Sequence, residues 1–331
     1  MLARAIRIYE RGGPDVMRLD EIEVPPPTQG EVQIRQTAIG LNFNEPGHRQ
    51  GTRLETRYET PLPMILGTEG AGIVAEVGPG VRGFREGDRV AYWYSPPAGS
   101  YTSLRNYPVE RLVRLPDGVS EETAAAYLVK AMTVDMLVNL TYRIRGGDTV
   151  LVHAAAGATG LILVQWAKHM GATVIGTMST DEKAAVACAY GCDHTINYAR
   201  DDFVDAVREI TAGKGVACVY DSVGIDTLQG SLDCLRFRGT CALYGISSGR
   251  PDSFDTTELS KAGSVYLTRP SVHQHNPTPA AFHRSARRCL EMVTSGAIRV
   301  HIGKIYRLEE VAQAHRDLVG RRTIGSSVLL P

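Results

Sequence analysis

The sequence predicts an α/β protein of two domains: a β-rich domain from the N-terminal part, then a doubly wound parallel sheet. Three observations predict it. A chain of 331 residues exceeds what one hydrophobic core ordinarily organises. Residues 1 to about 120 carry short alternating runs, such as Glu31-Val32-Gln33-Ile34-Arg35 and Gly72-Ile73-Val74-Ala75-Glu76-Val77, punctuated by the turn clusters Pro25-Pro26-Pro27 and Gly78-Pro79-Gly80. Beyond that point strand-like and helix-like segments alternate, the pattern of a parallel sheet covered on both faces.

The segments of the second part follow in order. Strands are expected at Thr149–His153, Ala172–Thr177, Thr195–Asn197, Val216–Tyr220 and Cys241–Tyr244. Helices are expected at Leu161–Met170, Asp181–Tyr190, Phe203–Thr211 and Thr227–Leu235. A further helix is expected at Ala281–Val293, and the chain closes on a strand-like Ser326–Leu330. The polar stretch Arg53–Thr60 has no useful periodicity and reads as a mobile surface loop.

Composition removes several classes of function. Basic and acidic side chains number 36 each, so bulk charge gives no reason to bind nucleic acid or an anionic membrane. No apolar run reaches the roughly 18 residues that span a bilayer. The N-terminal Met1-Leu2-Ala3-Arg4-Ala5-Ile6-Arg7 alternates apolar and charged residues instead of forming the unbroken apolar core of a signal peptide. The expected location is the cytoplasm. The six cysteines contain no C-x-x-C pair, which argues against a disulfide framework. Cys188, Cys192 and His194 raise a metal question, and buried thiols near a helix end answer it more simply.

The chemistry concentrates after the first strand of the parallel sheet. There the sequence reads Ala154-Ala155-Ala156-Gly157-Ala158-Thr159-Gly160, then a helix. Small residues allow close approach of a pyrophosphate, and the helix N-terminus offers unpaired N–H groups and a positive dipole end. The glycine pattern is A-x-G-x-x-G, weak alone and strong between a strand and a helix. The second strand ends Val174-Ile175-Gly176-Thr177, followed by Met178, Ser179 and Thr180. It lacks the carboxylate that grips a free ribose diol in NAD enzymes. A neutral, hydroxyl-bearing strand end with Lys183 on the next helix suits a 2′-phosphate, and so NADPH. Asp181 and Glu182 argue mildly the other way unless they point outward.

These features together resemble the quinone oxidoreductase branch of the medium-chain dehydrogenase/reductase superfamily, the branch that includes zeta-crystallin. The resemblance runs over essentially the whole chain. It is carried by Gly40-Leu41-Asn42-Phe43, Leu66-Gly67-Thr68-Glu69-Gly70-Ala71-Gly72, Gly87-Asp88-Arg89-Val90 and Lys130-Ala131-Met132-Thr133. Further along come the Ala-rich loop, Gln165-Trp166-Ala167-Lys168, Ile196-Asn197-Tyr198, Tyr220-Asp221-Ser222-Val223-Gly224, Ser231-Leu232-Asp233-Cys234-Leu235 and Gly325-Ser326-Ser327-Val328-Leu329. The resemblance implies a GroES-like catalytic domain over residues 1–122, completed by about 268–331, and an inserted Rossmann NADPH-binding domain over residues 123–267. It implies a homodimer or homotetramer. It places Lys183 and Tyr198 at the adenosine 2′-phosphate, and Asn42, Phe43, Thr133, Gly157, Ala158, Thr159, Gly160, Ser179, Ser222, Tyr244, Gly245, Ser247 and Arg321 along the cofactor.

Zinc alcohol dehydrogenases of the same superfamily carry Cys and His where this sequence has Asn42 and Thr68, and they carry a Cys-rich lobe that is absent here. No metal is therefore expected, and Glu69 reads as a structural acid paired with a polar or basic partner. The family's D-x-Y-x-R-x-G run appears as Glu45-Pro46-Gly47-His48-Arg49-Gln50-Gly51. Gly47 replaces an aromatic wall of the substrate pocket, and His48 could partly substitute or simply lie at the surface.

With nicotinamide carrying the hydride, Asn42, Thr133 and backbone N–H groups are candidate donors to the oxygen on which negative charge develops. The leading function is NADPH-dependent reduction of quinones. The enzyme alternative is reduction of activated alkenes, enones or 2-haloacrylate-like acids, for which Arg49, Arg53 and Arg57 are available as anionic-substrate anchors. A different class, an NADPH-binding crystallin-like or RNA-binding protein, is kept open by the lost aromatic at position 47.

Overall fold

The computed structural model describes residues 1–52, 61–93, 98–251 and 253–331. The expected mobile loop at Arg53–Thr60, with Arg53 and Arg57, lies outside the described residues. The chain forms two compact units. One comprises Met1–Val129, Thr278–Thr294 and Val300–Pro331, and the other Lys130–Pro277 and Ser295–Arg299.

The first unit is GroES-like and β-rich. Its strands are β1 (Leu2–Ile8), β2 (Met17–Glu23), β3 (Glu31–Gly40), β4 (Met64–Ile65), β5 (Glu69–Val77), β6 (Arg89–Trp93), β7 (Leu104–Pro108) and β8 (Leu112–Arg114). A short helix α1 (Glu45–Gln50) follows β3, and α2 (Glu121–Asp135) leads out of the unit. β2, β1 and β4 form a three-stranded sheet. β3 pairs antiparallel with β5 and β7, and β5 with β6. β3 shows why this region reads as strand: Val32 and Ile34 are buried two residues apart along it, and alternating apolar positions meet one face of a pleated sheet.

The second unit contains β9 (Thr149–Val152), α3 (Ala158–His169), β10 (Thr173–Met178), α4 (Asp181–Ala189), β11 (His194–Asn197) and α5 (Phe203–Ile210). It continues with β12 (Val216–Asp221), α6 (Leu228–Asp233), β13 (Leu235–Leu243), α7 (Thr257–Lys261), β14 (Tyr266–Thr268) and α8 (Val272–His275). Its six strands run in the order β11-β10-β9-β12-β13-β14, all parallel. Numbered within the unit this is 3-2-1-4-5-6, the Rossmann order, whose chain reversal between β9 and β12 opens a ligand crevice at the strand C-termini. Every residue of β12 is buried, as expected of a strand covered on both faces.

The chain then returns to the first unit through α9 (Pro279–Thr294), β15 (Ile302–Arg307), α10 (Val311–Val319) and β16 (Ser326–Leu330). β16 pairs antiparallel with β3 at Val328↔Gly40 and Leu329↔Ile39, so the last strand completes the first unit's large sheet.

The region after β12 differs from the sequence reading. The helix expected over Thr227–Leu235 ends at Asp233, and Leu235 already begins a nine-residue strand. Arg236, Phe237 and Arg238 are exposed on it, Arg238 is left-handed at φ 56°, and the β12–β13 register shifts between Val216 and Cys218. An irregular, solvent-facing strand start carries no apolar alternation to read.

Candidate active site

In the second unit the strand C-termini are tied together by backbone bonds. Ala155 N donates to Thr177 O (3.1 Å), His153 N to Tyr220 O (3.1 Å), Tyr198 N to Met178 O (3.1 Å), Tyr244 N to Asp221 O (2.8 Å) and Ser247 N to Ser222 O (3.2 Å). These bonds gather the loop Ala154–Gly160, Ser179, Tyr198, Ser222, Tyr244, Gly245 and Ser247 at one edge of the sheet. Helix α3 starts at Ala158 with Gly157 as its uncapped N-cap residue. The N–H groups of Ala158, Thr159 and Gly160 precede the first intrahelical bond, Leu161 N to Gly157 O at 2.9 Å. A Cβ on Gly160 would lie 2.3 Å from Ala154 O, so glycine there is what lets the helix start close against the loop.

The end of β10 corrects one expectation. Thr177 is buried, and its hydroxyl pairs with His153 Nδ1 at 2.9 Å, so it faces inward instead of offering itself to a phosphate. Ser179 follows the strand, and Thr180 caps α4 by accepting from Lys183 N at 3.2 Å. Lys183 thus stands in the first turn after the strand end. Tyr198, 41% exposed, sits beside that end because Asn197 is the register partner of Met178. Asp181 accepts from Asn197 Nδ2 and Arg200 Nη1, each at 3.0 Å. Glu182 is exposed.

Beneath this edge lies a buried polar chain that the sequence did not reveal. His153 Nε2 meets Ser231 Oγ at 3.0 Å, and Ser231 Oγ donates to Asp221 Oδ2 at 2.8 Å. Asp221 Oδ1 accepts from Val223 N (2.8 Å), Gly224 N (3.1 Å) and Thr227 Oγ1 (3.0 Å). Burial lowers the His153 pKa and opposes its protonation. The sequence signal was a histidine and an aspartate each ending a run of buried apolar residues, and periodicity says nothing about what such ends face.

The first unit holds Asn42, Phe43, Gly47, His48 and Arg321. Phe43 is 44% exposed, and Arg321 is exposed and left-handed at φ 56° just beyond α10. Gly47 and His48 are half-buried on α1. Thr133 lies on α2 within the second unit, also half-buried. Asn42 is largely buried, and its Nδ2 is directed to Glu69 Oε2 (3.2 Å) and Thr68 Oγ1 (3.4 Å). That corrects the expectation of a donor. Both N–H bonds point at the protein's own acceptors, so the carbonyl Oδ1 is what remains for a bound molecule.

Arg49 is corrected too. It is 1% exposed, with Nε on Gly12 O at 2.9 Å and Nη1 on His315 Nδ1 at 2.6 Å. A guanidinium so enclosed cannot anchor an anionic substrate.

The donor set does not fit zinc. Asn42 and Thr68 provide neither thiolate nor imidazole. Both oxygens of Glu69 already accept N–H groups, from Val129 N at 2.7 Å and from Asn42. Among the described residues no cluster of three or more His, Cys, Asp or Glu could hold a metal ion. Of the other cysteine–histidine group, Cys188 is exposed, and Cys192 is buried with Sγ on His194 O at 3.1 Å. Burial pushes the Cys192 thiol up to about 12.

A Rossmann sheet with an uncapped glycine-bearing helix start, in one chain with a GroES-like unit, defines a nucleotide-dependent dehydrogenase. The chain belongs to that family of oxidoreductases: residues 28–124 match the alcohol dehydrogenase GroES-like domain, and residues 158–323 match the zinc-binding dehydrogenase family. It is similar to a 2-haloacrylate reductase of a Burkholderia species, 44% identical over 333 residues that span 100% of this chain and 99% of the relative. It is 42% identical over 331 residues to the quinone oxidoreductase of Pseudomonas aeruginosa, covering 100% of each. Among solved structures, Escherichia coli quinone oxidoreductase complexed with NADPH matches with a TM-score of 0.94 and 40% identity, over 99% of this chain and 100% of that one.

Proposed function

We propose that this protein reduces quinones with NADPH without a metal. The observation that carries the reading is the end of β10, where no carboxylate faces a ribose diol and Asp181 is bound by Asn197 and Arg200. The residues fit the dinucleotide: the N–H groups opening α3 suit the pyrophosphate, and Ser179, Lys183 and Tyr198 would meet the 2′-phosphate. Ser222, Tyr244, Gly245 and Ser247, at the ends of β12 and β13, would line the nicotinamide half with Thr133. Asn42, Phe43 and Arg321, in the GroES-like unit, are the further cofactor positions that the family resemblance implies. NADPH, when bound, supplies a hydride to the substrate. The protein's part is to hold substrate and cofactor in register and exclude water. Thr133 and backbone N–H groups would stabilise negative charge on the substrate oxygen, and solvent would supply the proton.

The Burkholderia relative gives the second reading, reduction of an activated alkene. Hydride addition to the β-carbon of an unsaturated carbonyl leaves an enolate that needs the same oxygen stabilisation as a phenolate. Steady-state NADPH oxidation against quinones, enones and 2-haloacrylates separates the two. Turnover of quinones at least tenfold above the alkenes is expected, and the reverse order would replace the first reading by the second. The protein is expected in the cytoplasm as a homodimer or homotetramer. Among the described residues no helix is long and apolar enough to cross a membrane.

Two outcomes follow from the site. Prolonged chelation should leave activity unchanged, and elemental analysis should find no stoichiometric zinc; one tightly bound zinc per chain would overturn the metal-free reading. Gly47→Tyr should lower kcat/KM for bulky quinones several-fold more than for benzoquinone. Gly47 lies within helix α1, so tyrosine meets no left-handed strain there and should raise helix propensity by about 0.5 kcal/mol. An equal response of large and small quinones, with the thermal midpoint unchanged, would show that position 47 does not border the substrate.

A further inference from the structure

The first unit encloses a second polar chain, and its chemistry permits only one arrangement of protons. Glu45, Tyr101 and His315 are completely buried and Arg49 nearly so. Tyr101 OH lies 2.5 Å from Glu45 Oε2 and 2.9 Å from His315 Nε2. Arg49 Nη1 can only donate to His315 Nδ1, so the neutral ring carries its proton on Nε2, the Tyr101 oxygen accepts it, and the phenol donates to Glu45. The donors therefore run one way, from Arg49 through His315 and Tyr101 to Glu45. Burial and the neighbouring Arg49 push His315 down to about 3, in keeping with a neutral ring. Gly67, left-handed at φ 91°, makes room for Tyr101: a Cβ there would lie 2.4 Å from the Tyr101 ring.

Glu45 passes this constraint onward. Its Oε2 also accepts from Asn42 N (2.8 Å), and its Oε1 from Thr68 N and Thr68 Oγ1, both at 3.0 Å. Because the Thr68 hydroxyl proton is committed to Glu45, its oxygen is left as an acceptor for Asn42 Nδ2, and Glu69 Oε2 is the other acceptor. Turning the Asn42 amide over would set its carbonyl oxygen against a carboxylate.

We propose that Arg49, His315 and Tyr101 are positioning residues that fix Glu45, and through its bonds to Asn42 N, Thr68 N and Thr68 Oγ1 fix the place of an Asn42 amide whose orientation Thr68 and Glu69 set. Held so, Asn42 Oδ1 is an acceptor for a hydroxyl of the bound nucleotide or of the substrate. The proposal rests on the reading that Asn42 borders the cofactor and substrate. It explains why an arginine, a histidine and a tyrosine are buried together in a unit whose chemistry uses none of them directly.

The test uses Tyr101→Phe, Asn42→Ala and the double variant in the full-length protein, with His315→Gln as a milder second break of the chain. NADPH dissociation constants are measured by titration, kcat and KM with a quinone, and thermal midpoints in parallel. Tyr101→Phe and Asn42→Ala should each cost about tenfold to a hundredfold in one of these quantities. In the Asn42→Ala background Tyr101→Phe should cost nothing more. A loss in NADPH affinity places the hydroxyl on the nucleotide, and a loss confined to the quinone parameters places it on the substrate. Equal losses in both backgrounds, or Tyr101→Phe and His315→Gln within twofold of the unmodified protein, would overturn the proposal. So would a silent Asn42→Ala. Nitrogen NMR of labelled histidine gives a check independent of turnover: His315 should be neutral with its proton on Nε2. An imidazolium, or a proton on Nδ1, would also overturn it, whereas failure to reduce quinones with NADPH affinity and this signature intact would count only against the proposed substrate.

Discussion

Lys183→Ala is expected to raise the NADPH dissociation constant by about one to two powers of ten and leave that for NADH nearly unchanged. A charge-assisted contact to a phosphate is worth roughly 1.5–3 kcal/mol, and NADH has no 2′-phosphate to lose it. The geometry supports the asymmetry. Lys183 opens α4 directly behind the Thr180 cap, and Tyr198 is held beside the same strand end by its N–H on Met178 O. Asp181, in the same turn, is itself paired, accepting from Asn197 and from Arg200. The Asp181–Arg200 pair is largely exposed, at 70% and 61%, so it contributes little stability itself. Raising the salt should shrink the NADPH preference of the unmodified protein in the same direction but less. Cofactor titration of both proteins checks this, and equal affinity of the unmodified protein for NADPH and NADH would overturn the assignment.

The parallel sheet was legible because its strands are buried runs bounded by turn residues and its helices repeat at helical spacing. Val216–Asp221, buried throughout, reads as strand without ambiguity. β14 was not legible. It is three residues long, and Tyr266 on it is 59% exposed, so it has neither length nor an apolar face. The cofactor loop was legible because small residues at fixed spacing between strand and helix have a local physical cause. The two buried polar chains were not. Arg49 and His315 are 266 residues apart in sequence, and His153 and Ser231 are 78 apart. No local pattern marks partners joined only by the fold. The departures at Thr177 and Arg49 share that origin: residue type alone suggests ligand-facing groups, and each is consumed by a partner that sequence spacing cannot indicate. Asn42 was read as a donor for the same reason, because which end of an amide faces outward depends on the acceptors behind it.

Asp221→Ala should destabilise the Rossmann unit by about 3 kcal/mol or more, while Asp221→Asn should cost much less. The alanine leaves the N–H groups of Val223 and Gly224 and the hydroxyls of Thr227 and Ser231 without their carboxylate. Each buried group left unpaired costs about 1–3 kcal/mol. The asparagine behaves differently because the chain behind it can reverse. In the native protein Ser231 donates to Asp221, so Ser231 must accept from His153 Nε2–H, and His153 Nδ1 accepts from Thr177. With Asp221→Asn the new amide donates to Ser231, Ser231 donates to His153 Nε2, and the ring proton moves to Nδ1 and points at Thr177. The carbonyl end still receives the two backbone N–H groups. The Thr177 hydroxyl keeps its bond to the ring as an acceptor and gives up only its role as donor, so the variant should lie within about 1–2 kcal/mol of the unmodified protein. A midpoint drop of about 5–10 °C for the alanine and far less for the asparagine is the expected thermal result. Nitrogen NMR should report the His153 proton on Nε2 in the unmodified protein and on Nδ1 in Asp221→Asn. Equal destabilisation by both substitutions, with the tautomer unchanged, would mean that the carboxylate charge, and not the direction of the chain, holds the strand ends together.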